Sequence, residues 1–318
     1  MPNPPPTRRL ALVEPDCALC GASGVQLEAR GFDYEYDTVP DEFEFGRCTN
    51  CDHVYLKPRP SEEELSVIYP DDYYALAGPS VRVVADAQRI WEGRKVALYR
   101  TLVGPGRRRW LDIGCGNGRF LSVLREFGDP QWELVGVDFD ERAVGQCREA
   151  GFEAHAVRVE DYDGGGEGLD GVVMLQLIEH VDDPAVVARK VFQLLKPGGC
   201  FVVETPNLGG WDYRLFRGQC WGHYHFPRHW NLFSTPALHR MLRDAGFEIE
   251  STDYLISTSA WTISLHNWFK SRGYPAWVIK FCSYQNPLLL AVFVVLDSIL
   301  SKLGRETSNQ RVVARKAL

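Results

Sequence analysis

Residues Leu111–Phe120 read Leu-Asp-Ile-Gly-Cys-Gly-Asn-Gly-Arg-Phe. Apolar Trp110–Ile113 runs into three glycines at alternate positions, and a helix-period pattern follows over Arg119–Phe127. A strand, a tight turn and a helix are therefore expected here. Glycine at 114, 116 and 118 lets the backbone turn sharply and lets a ligand approach it closely. The spacing is G-x-G-x-G, not the G-x-G-x-x-G of dinucleotide-pyrophosphate loops. Asp112, two positions before the first glycine, suits a cationic ligand end better than a pyrophosphate.

Outward from this turn, strand and helix patterns alternate, which predicts an α/β fold with a doubly wound sheet. Strands are expected at Trp110–Ile113, Leu134–Asp138, Glu153–Val157, Gly171–Leu175 and Cys200–Glu204, with helices at Arg119–Phe127, Arg142–Ala150 and Pro184–Leu195. Asp183 is placed to cap the last of these, with Pro184 at its first position and Gly198-Gly199 beyond its end. Asp138 closes the second strand, where a carboxylate can accept both hydroxyls of a ribose lying across the sheet's carboxyl edge. Phe139 beside it is expected to lie against an adenine face. Asp161 and Tyr162, after the third strand, are candidates for the adenine amino group; a loop-capping role is the alternative for each acid.

The front end carries Cys17-Ala-Leu-Cys20 and Cys48-Thr-Asn-Cys51, two C-x2-C pairs with 27 residues between them. Each pair is followed by a turn residue, Gly21 or Asp52. Two such knuckles give the closed tetrahedral four-thiolate site of structural zinc, with no open position for catalysis. Phe32-Asp-Tyr-Glu-Tyr and Phe43-Glu-Phe read as hairpin strands filling the gap, and Ser61-Glu-Glu-Glu-Leu as a capped helix start. Tyr69-Pro-Asp-Asp-Tyr-Tyr reads either as interdomain packing or as a lid.

The chain has 318 residues and a net charge of −7, which leaves no basic footprint for a nucleic-acid backbone. The run Arg107–Arg109 directly precedes a strand and reads as a solvated loop. The opening residues lack a signal-peptide core, and no run reaches the roughly 18 apolar residues of a membrane span. A cytoplasmic protein with reduced thiols is expected.

The set LDIGCGNGRF, VGVDFD, EDYD, DGVVMLQLIEHV and LLKPGG resembles the class I S-adenosylmethionine (SAM)-dependent methyltransferases. The resemblance implies SAM as cofactor and a seven-stranded Rossmann-like sheet with its last strand antiparallel. Phe247–Ile256 would be strand six and Gln310–Lys316 strand seven. It also implies that Leu175 and Gln176 lie against SAM, with Glu179 and His180 near the site. The segments CALCG, RCTNC, YLKPRPSEEEL and YPDDYY resemble the zinc-knuckle N-terminus of bacterial methyltransferases acting on sugars and secondary metabolites. The chain is too short for the large C-terminal domain of the sugar C-methyltransferases among them, so O- or N-directed transfer to a small molecule is expected. The implied organisation is a zinc domain and lid segment at 1–75, a SAM-binding core at 76–256, an insertion at 257–308 and a final strand at 309–318.

A sulfonium methyl is already activated, so the protein must mainly align the acceptor and exclude water. A base helps a hydroxyl acceptor and is optional for an amine. Candidates are His180 after the fourth strand, and His223, His225 and His229 in the aromatic loop Trp221–Trp230. His180 can instead simply hold its loop, and the three clustered histidines could be packing or, less simply, metal ligands. His229 is preferred as base because PRHWNLFS resembles a P-x-H-x-x-x-F-S segment of the family.

The insertion holds Trp261, Trp268, Trp277 and the apolar run Pro287–Leu300, interrupted by Asp297. It is too short to span a bilayer. The open readings are a buried helix, an oligomer contact, or peripheral contact of 287–303 with a membrane or lipid-linked acceptor. Competing functions are RNA methylation, a non-catalytic SAM-binding module and, least consistent with the glycine spacing, an NAD-dependent oxidoreductase.

Overall fold

The computed structural model describes residues 8–70, 82–257, 259–282 and 286–318. The front end begins with a two-residue ladder between β1 (Leu12–Val13) and β5 (Arg59–Pro60). Between them β2 (Val25–Gly31), β3 (Phe43–Cys48) and β4 (Val54–Leu56) form an antiparallel meander. Phe43, Phe45, Val54 and Leu56 point inward and are buried.

Two local expectations are corrected here. The partner of β3 is β2, and Phe32–Tyr36 is loop. The reason is Asp33, whose carboxylate accepts from the backbone N–H groups of Tyr36 and Thr38 and bends the chain out of extension. Ser61 precedes a 3-10 turn at Glu62–Glu64 and the short α1 (Leu65–Ile68), but its side chain makes no cap bond. Of the tyrosine-rich segment, only Tyr69 and Pro70 fall within the described residues; Tyr73 and Tyr74 lie outside them.

The long α2 (Arg82–Val103) leads into the main sheet, built from β6 (Arg109–Ile113), β7 (Glu133–Asp138), β8 (Glu153–Ala156), β9 (Leu169–Leu175) and β10 (Leu195–Pro206). Helices α3 (Arg119–Phe127), α4 (Glu141–Glu149) and α5 (Pro184–Leu194) connect them, α5 capped by the Asp183 side chain with Pro184 in its first turn. After β10 come α6 (Trp211–Phe216), β11 (Asn231–Leu232), α7 (Thr235–Asp244) and β12 (Glu248–Leu255). Helices α8 (Ala260–Ser271), α9 (Ala276–Phe281) and α10 (Pro287–Lys302) then precede β13 (Asn309–Arg315).

The sheet order is β12-β13-β10-β9-β6-β7-β8, with β13 antiparallel to both neighbours. This is the expected seven-stranded, doubly wound sheet. It places the carboxyl ends of β6, β7, β9, β10 and β12 along one edge, where ligands bind in such folds. Both faces are covered, so the central strands are almost continuously apolar: Val172, Val173, Met174, Phe201, Val202 and Val203 are fully buried. Trp110 packs between Tyr99 of α2 and Trp132, at 5.4 and 5.3 Å between ring centroids. A methyl on Gly171 would sit 2.4 Å from that indole, so only glycine fits opposite it.

The front-end sheet is not self-contained. β11, from the histidine loop, pairs with β4 as its fourth strand. One apolar cluster runs through Phe43, Phe45, Leu56, Trp221, Tyr224 and Trp261, joining the front end, the loop and the insertion.

Candidate active site

At the end of β6 the chain turns through Gly114, Gly116 and Gly118, all at positive φ. The Gly114 N–H bonds the Val137 carbonyl at 2.8 Å, pinning the turn to β7. A side chain at Gly114 would strike Leu177 at 2.6 Å, so the loop after β9 packs directly on the turn. Gly116 combines a left-handed φ of 51° with open space around its absent Cβ. This is the place in the turn where a ligand can touch backbone.

Asp138 ends β7, accepting from the N–H groups of Gly116 at 2.9 Å and Asp140 at 3.0 Å. Asp112 is buried beside it. Burial first, and the Asp138 charge second, push the Asp112 carboxyl up to about 8, against the pull of Arg119. Burial also raises Asp138. Two neighbouring acids in one low-dielectric place resist joint ionisation, and a cationic ligand beside them would favour it. Phe139 stands next to Asp138 with 64% of its surface exposed. Across the edge, Leu175 is half-buried, and Gln176 is exposed at φ 53° with its N–H bonded to the Glu204 carbonyl. A non-glycine residue held in that region stores strain of the kind found at binding sites. Asp161 lies exposed in a 3-10 turn, while Tyr162 is buried in the core with its ring against His155. Of these two, Asp161 is therefore the one that solvent can reach.

The acceptor half grows from the loop after β9. Glu179 is fully buried and accepts from Thr205 Oγ1 at 2.9 Å, while its Oε1 has no hydrogen-bond partner among the described residues. Its main-chain carbonyl takes the N–H groups of Trp230 and Asn231, so this residue seats the histidine loop. Burial pushes the Glu179 carboxyl up to about 8. His180 Nδ1 lies 2.8 Å from the Tyr69 hydroxyl and 3.1 Å from the Arg228 carbonyl. His229 meets His180 edge-on at 4.5 Å between centroids, and its Nδ1 lies 2.7 Å from the His223 carbonyl. Metal- or proton-binding atoms of Glu179, His180 and His229 all lie within 4.8 Å of one another. His225, at φ 40°, bonds Glu35 through Nδ1 at 2.6 Å and packs on His229 at 5.0 Å. Burial first, and neighbouring histidines second, take His180 down to about 3 and His229 well below its ordinary value, which favours the neutral form of each ring.

The methyltransferase-domain family model matches residues 86–252, more than half of the chain. The chain belongs to the class I SAM-dependent methyltransferases. A Mycolicibacterium smegmatis protein described as a probable S-adenosylmethionine-dependent methyltransferase is 30% identical over 177 residues, 52% of this chain and 62% of its own length. The chain thus spans less than two thirds of that relative. A Thiobacillus denitrificans protein named ubiquinone biosynthesis O-methyltransferase is 30% identical over 52% of this chain and 80% of its own length. Among solved structures, a chain from the complex of the Haloferax volcanii Trm112 methyltransferase activator with a methyltransferase superposes with a TM-score of 0.51. It is 16% identical, covering 79% of this chain and 98% of that one, a likeness of fold alone.

The methyltransferase's Gly turn fits SAM on its own evidence, since Gly116 leaves room and the neighbouring buried acids Asp112 and Asp138 suit a cationic ligand end. The front-end cysteines likewise converge. Cys17 and Cys51 sulfurs are 3.5 Å apart, as are Cys20 and Cys48, and all four lie within 4.8 Å. Tetrahedral zinc with bonds of about 2.3 Å needs sulfurs about 3.8 Å apart, so the set fits a structural ion. Gly21 and Asp52 both take positive φ, and their N–H groups bond the carbonyls of Cys17 and Cys48 at 2.7 and 3.0 Å. Those turns preform each knuckle.

Sequence reasoning missed the groups that hold the acceptor half in place. Arg228 and Asp33 form a bidentate pair at 2.9 Å, both fully buried and 195 residues apart. Glu35 and Tyr69 reach His225 and His180 from the front end. Lys95 of α2 bonds Glu204 at the end of β10 at 2.6 Å. Asp33, Glu35, Tyr69 and Arg228 lie in segments that the sequence marks for other reasons, and Lys95 in none.

Proposed function

We propose that the protein transfers the methyl group of SAM to an oxygen of a small acceptor, a sugar or related secondary metabolite, with His229 receiving the acceptor's proton. The observation that carries the reading is the tautomer of His229. A carbonyl can only accept, so the contact with the His223 carbonyl fixes the proton on Nδ1 and leaves the Nε2 lone pair free. His180 Nδ1 lies between the Tyr69 hydroxyl and the Arg228 carbonyl, which hold the ring in place beside His229. Glu179 brings close to both rings a carboxyl oxygen that has no partner among the described residues, and on giving up its proton it would balance an imidazolium.

When bound, SAM supplies a methyl group already activated on a sulfonium. The chain's residues then have three tasks. The turn Gly114–Gly118 would receive the ligand against backbone, Asp138 would take the ribose hydroxyls, and Asp112 would face a cationic end. Phe139 and Gln176 border the same edge. Tyr69 packs on His180 and the buried Trp221 on His223, and such aromatic contacts keep water from the rings and strengthen the electrostatic contacts there. Names of relatives that are O-methyltransferases support oxygen as the acceptor atom.

A screen of metabolite pools for transfer from labelled SAM finds the acceptor, and His229→Ala then tests the base. Loss of about 10²–10⁴ in turnover with unchanged SAM affinity by calorimetry is expected. Unchanged turnover removes His229 from the reaction and favours an amine acceptor, which needs no base.

A further inference from the structure

Helix α10 is two-sided in an unusual way. Inward, Phe293 stacks on Trp261 at 5.4 Å with planes 4° apart, and Asp297 is buried, accepting from the Trp261 indole and the Ser257 N–H. Outward, Leu288, Val292, Val295, Ile299 and Leu303 are each at least half exposed. At about 100° per residue these five fall within an arc of about 80°, a continuous apolar stripe of roughly four turns. The preceding helix α9 adds Trp277 and Phe281, also more than half exposed, and Asn286 ties the two helices by bonding the Phe281 carbonyl at 2.8 Å.

Charge identifies the occupant. The whole chain carries −7, yet from Ser259 to Arg305 the sequence has five basic residues against a single acid, the buried Asp297. Arg272, Lys280, Lys302 and Arg305 are exposed around the stripe. A two-fold contact between copies would bring this cationic rim against itself, whereas anionic lipid headgroups complement it. Among the described residues no helix is long and apolar enough to cross a membrane, so the helix would lie on the surface. The insertion leaves from the carboxyl end of β12, and α8 packs on the histidine loop through the Gly222 N–H to Ser264 Oγ bond at 2.8 Å. The helices that carry the stripe are therefore joined to the histidine loop through α8, on which Phe293 of α10 stacks.

We infer that α9 and α10 form an interfacial docking surface for anionic bilayers, giving the enzyme access to an acceptor presented at a lipid surface. Docking does not depend on the acceptor's identity, so it is measured without SAM or acceptor. The full chain is floated with phosphatidylcholine vesicles containing about 30% phosphatidylglycerol, and with phosphatidylcholine alone. Flotation with the anionic vesicles is expected, weakened by about 0.5 M salt. It should fall at least about tenfold in Val295→Glu/Ile299→Glu, which removes apolar contact, and in Lys280→Glu/Lys302→Glu, which removes charge. Light scattering and SAM calorimetry on the same variants verify folding and oligomeric state. No flotation with either vesicle overturns the inference, as does equal flotation of the first variant. A wild-type dimer that Val295→Glu/Ile299→Glu splits, without any vesicle binding, assigns the face to a second copy.

Discussion

Arg228→Met gives the sharpest test of how the acceptor half is built. Both partners of the Arg228–Asp33 pair are fully buried, and the bidentate contact spans the front end and the histidine loop. Removing one member of such a pair strands the other charge and costs about 3–5 kcal/mol. Here the lower half of that range applies, because Asp33 keeps the N–H groups of Tyr36 and Thr38 and the Thr38 hydroxyl. Unfolding entropy of about 2.1 cal/mol/K per residue over this chain makes each kcal/mol worth about 1.5 °C, so a fall in Tm of about 4–6 °C follows. Arg228 also donates to the Phe226 carbonyl and lies 4.5 Å from the Tyr36 ring centroid, so the loop from Phe226 to Trp230 loosens with it. KM for the acceptor should therefore rise while SAM affinity stays within about threefold, the turn at Gly116 sharing no contact with this pair. Asp33→Asn strands the guanidinium and should cost more, and the double variant should recover at least about 1 kcal/mol relative to additivity. Thermal melts, SAM calorimetry and acceptor kinetics on the three variants suffice. A melting shift under about 1 °C, or strictly additive losses, would refute the pair as the tie between the two halves.

Two further outcomes follow from the local chemistry. SAM affinity should rise with pH up to about 8: Asp112 is protonated below that point, a cationic ligand favours its ionised form, and single-proton linkage gives about tenfold per pH unit. Apo stability moves oppositely, falling as pH climbs from the ordinary aspartate range through about 8, because ionisation costs more in the folded chain; Asp112→Asn should flatten both trends, and a pH-independent Kd would sink this account. Treatment with a chelator, or Cys20→Ser, should lower Tm and raise acceptor KM, because the four cysteines are proposed to hold zinc and β4 carries β11 of the histidine loop; purified protein without near-stoichiometric zinc would count against the four-thiolate site.

Legibility in the sequence followed the range of the interaction. The turn at Gly114–Gly118, the acid ending β7 and the Asp183 cap are each decided within a few residues, and all three stand where their local pattern puts them. The cysteine knuckles are also local twice over, and only their meeting is tertiary. Phe32–Tyr36 misleads because its alternating aromatics suit a strand, whereas Asp33 is turned inward by an arginine far along the chain. Tyr162 misleads in the same sense: it follows a cofactor-side acid, yet its ring completes the core around Val159 and Leu169. Helix α2 carries no motif, and its Lys95 reaches the sheet's carboxyl edge only once folded.

These differences divide the site into two kinds of construction. The cofactor half is one continuous strand-turn-helix with its neighbour, so its geometry survives changes elsewhere. The acceptor half is assembled by Glu179 from the loop after β9, Tyr69, Asp33 and Glu35 from the front end, and residues 223–231 from the loop after β10. A well-packed apolar pair in place of Arg228 and Asp33 would give comparable stability, but it would slide. A bidentate ion pair has one register, and His229 lies one residue beyond it. The physical reason proposed for a buried charge pair at this position is therefore placement: it ties the loop that carries His229 to the front end in one register, as the proposed acid-base site would require and a core would not.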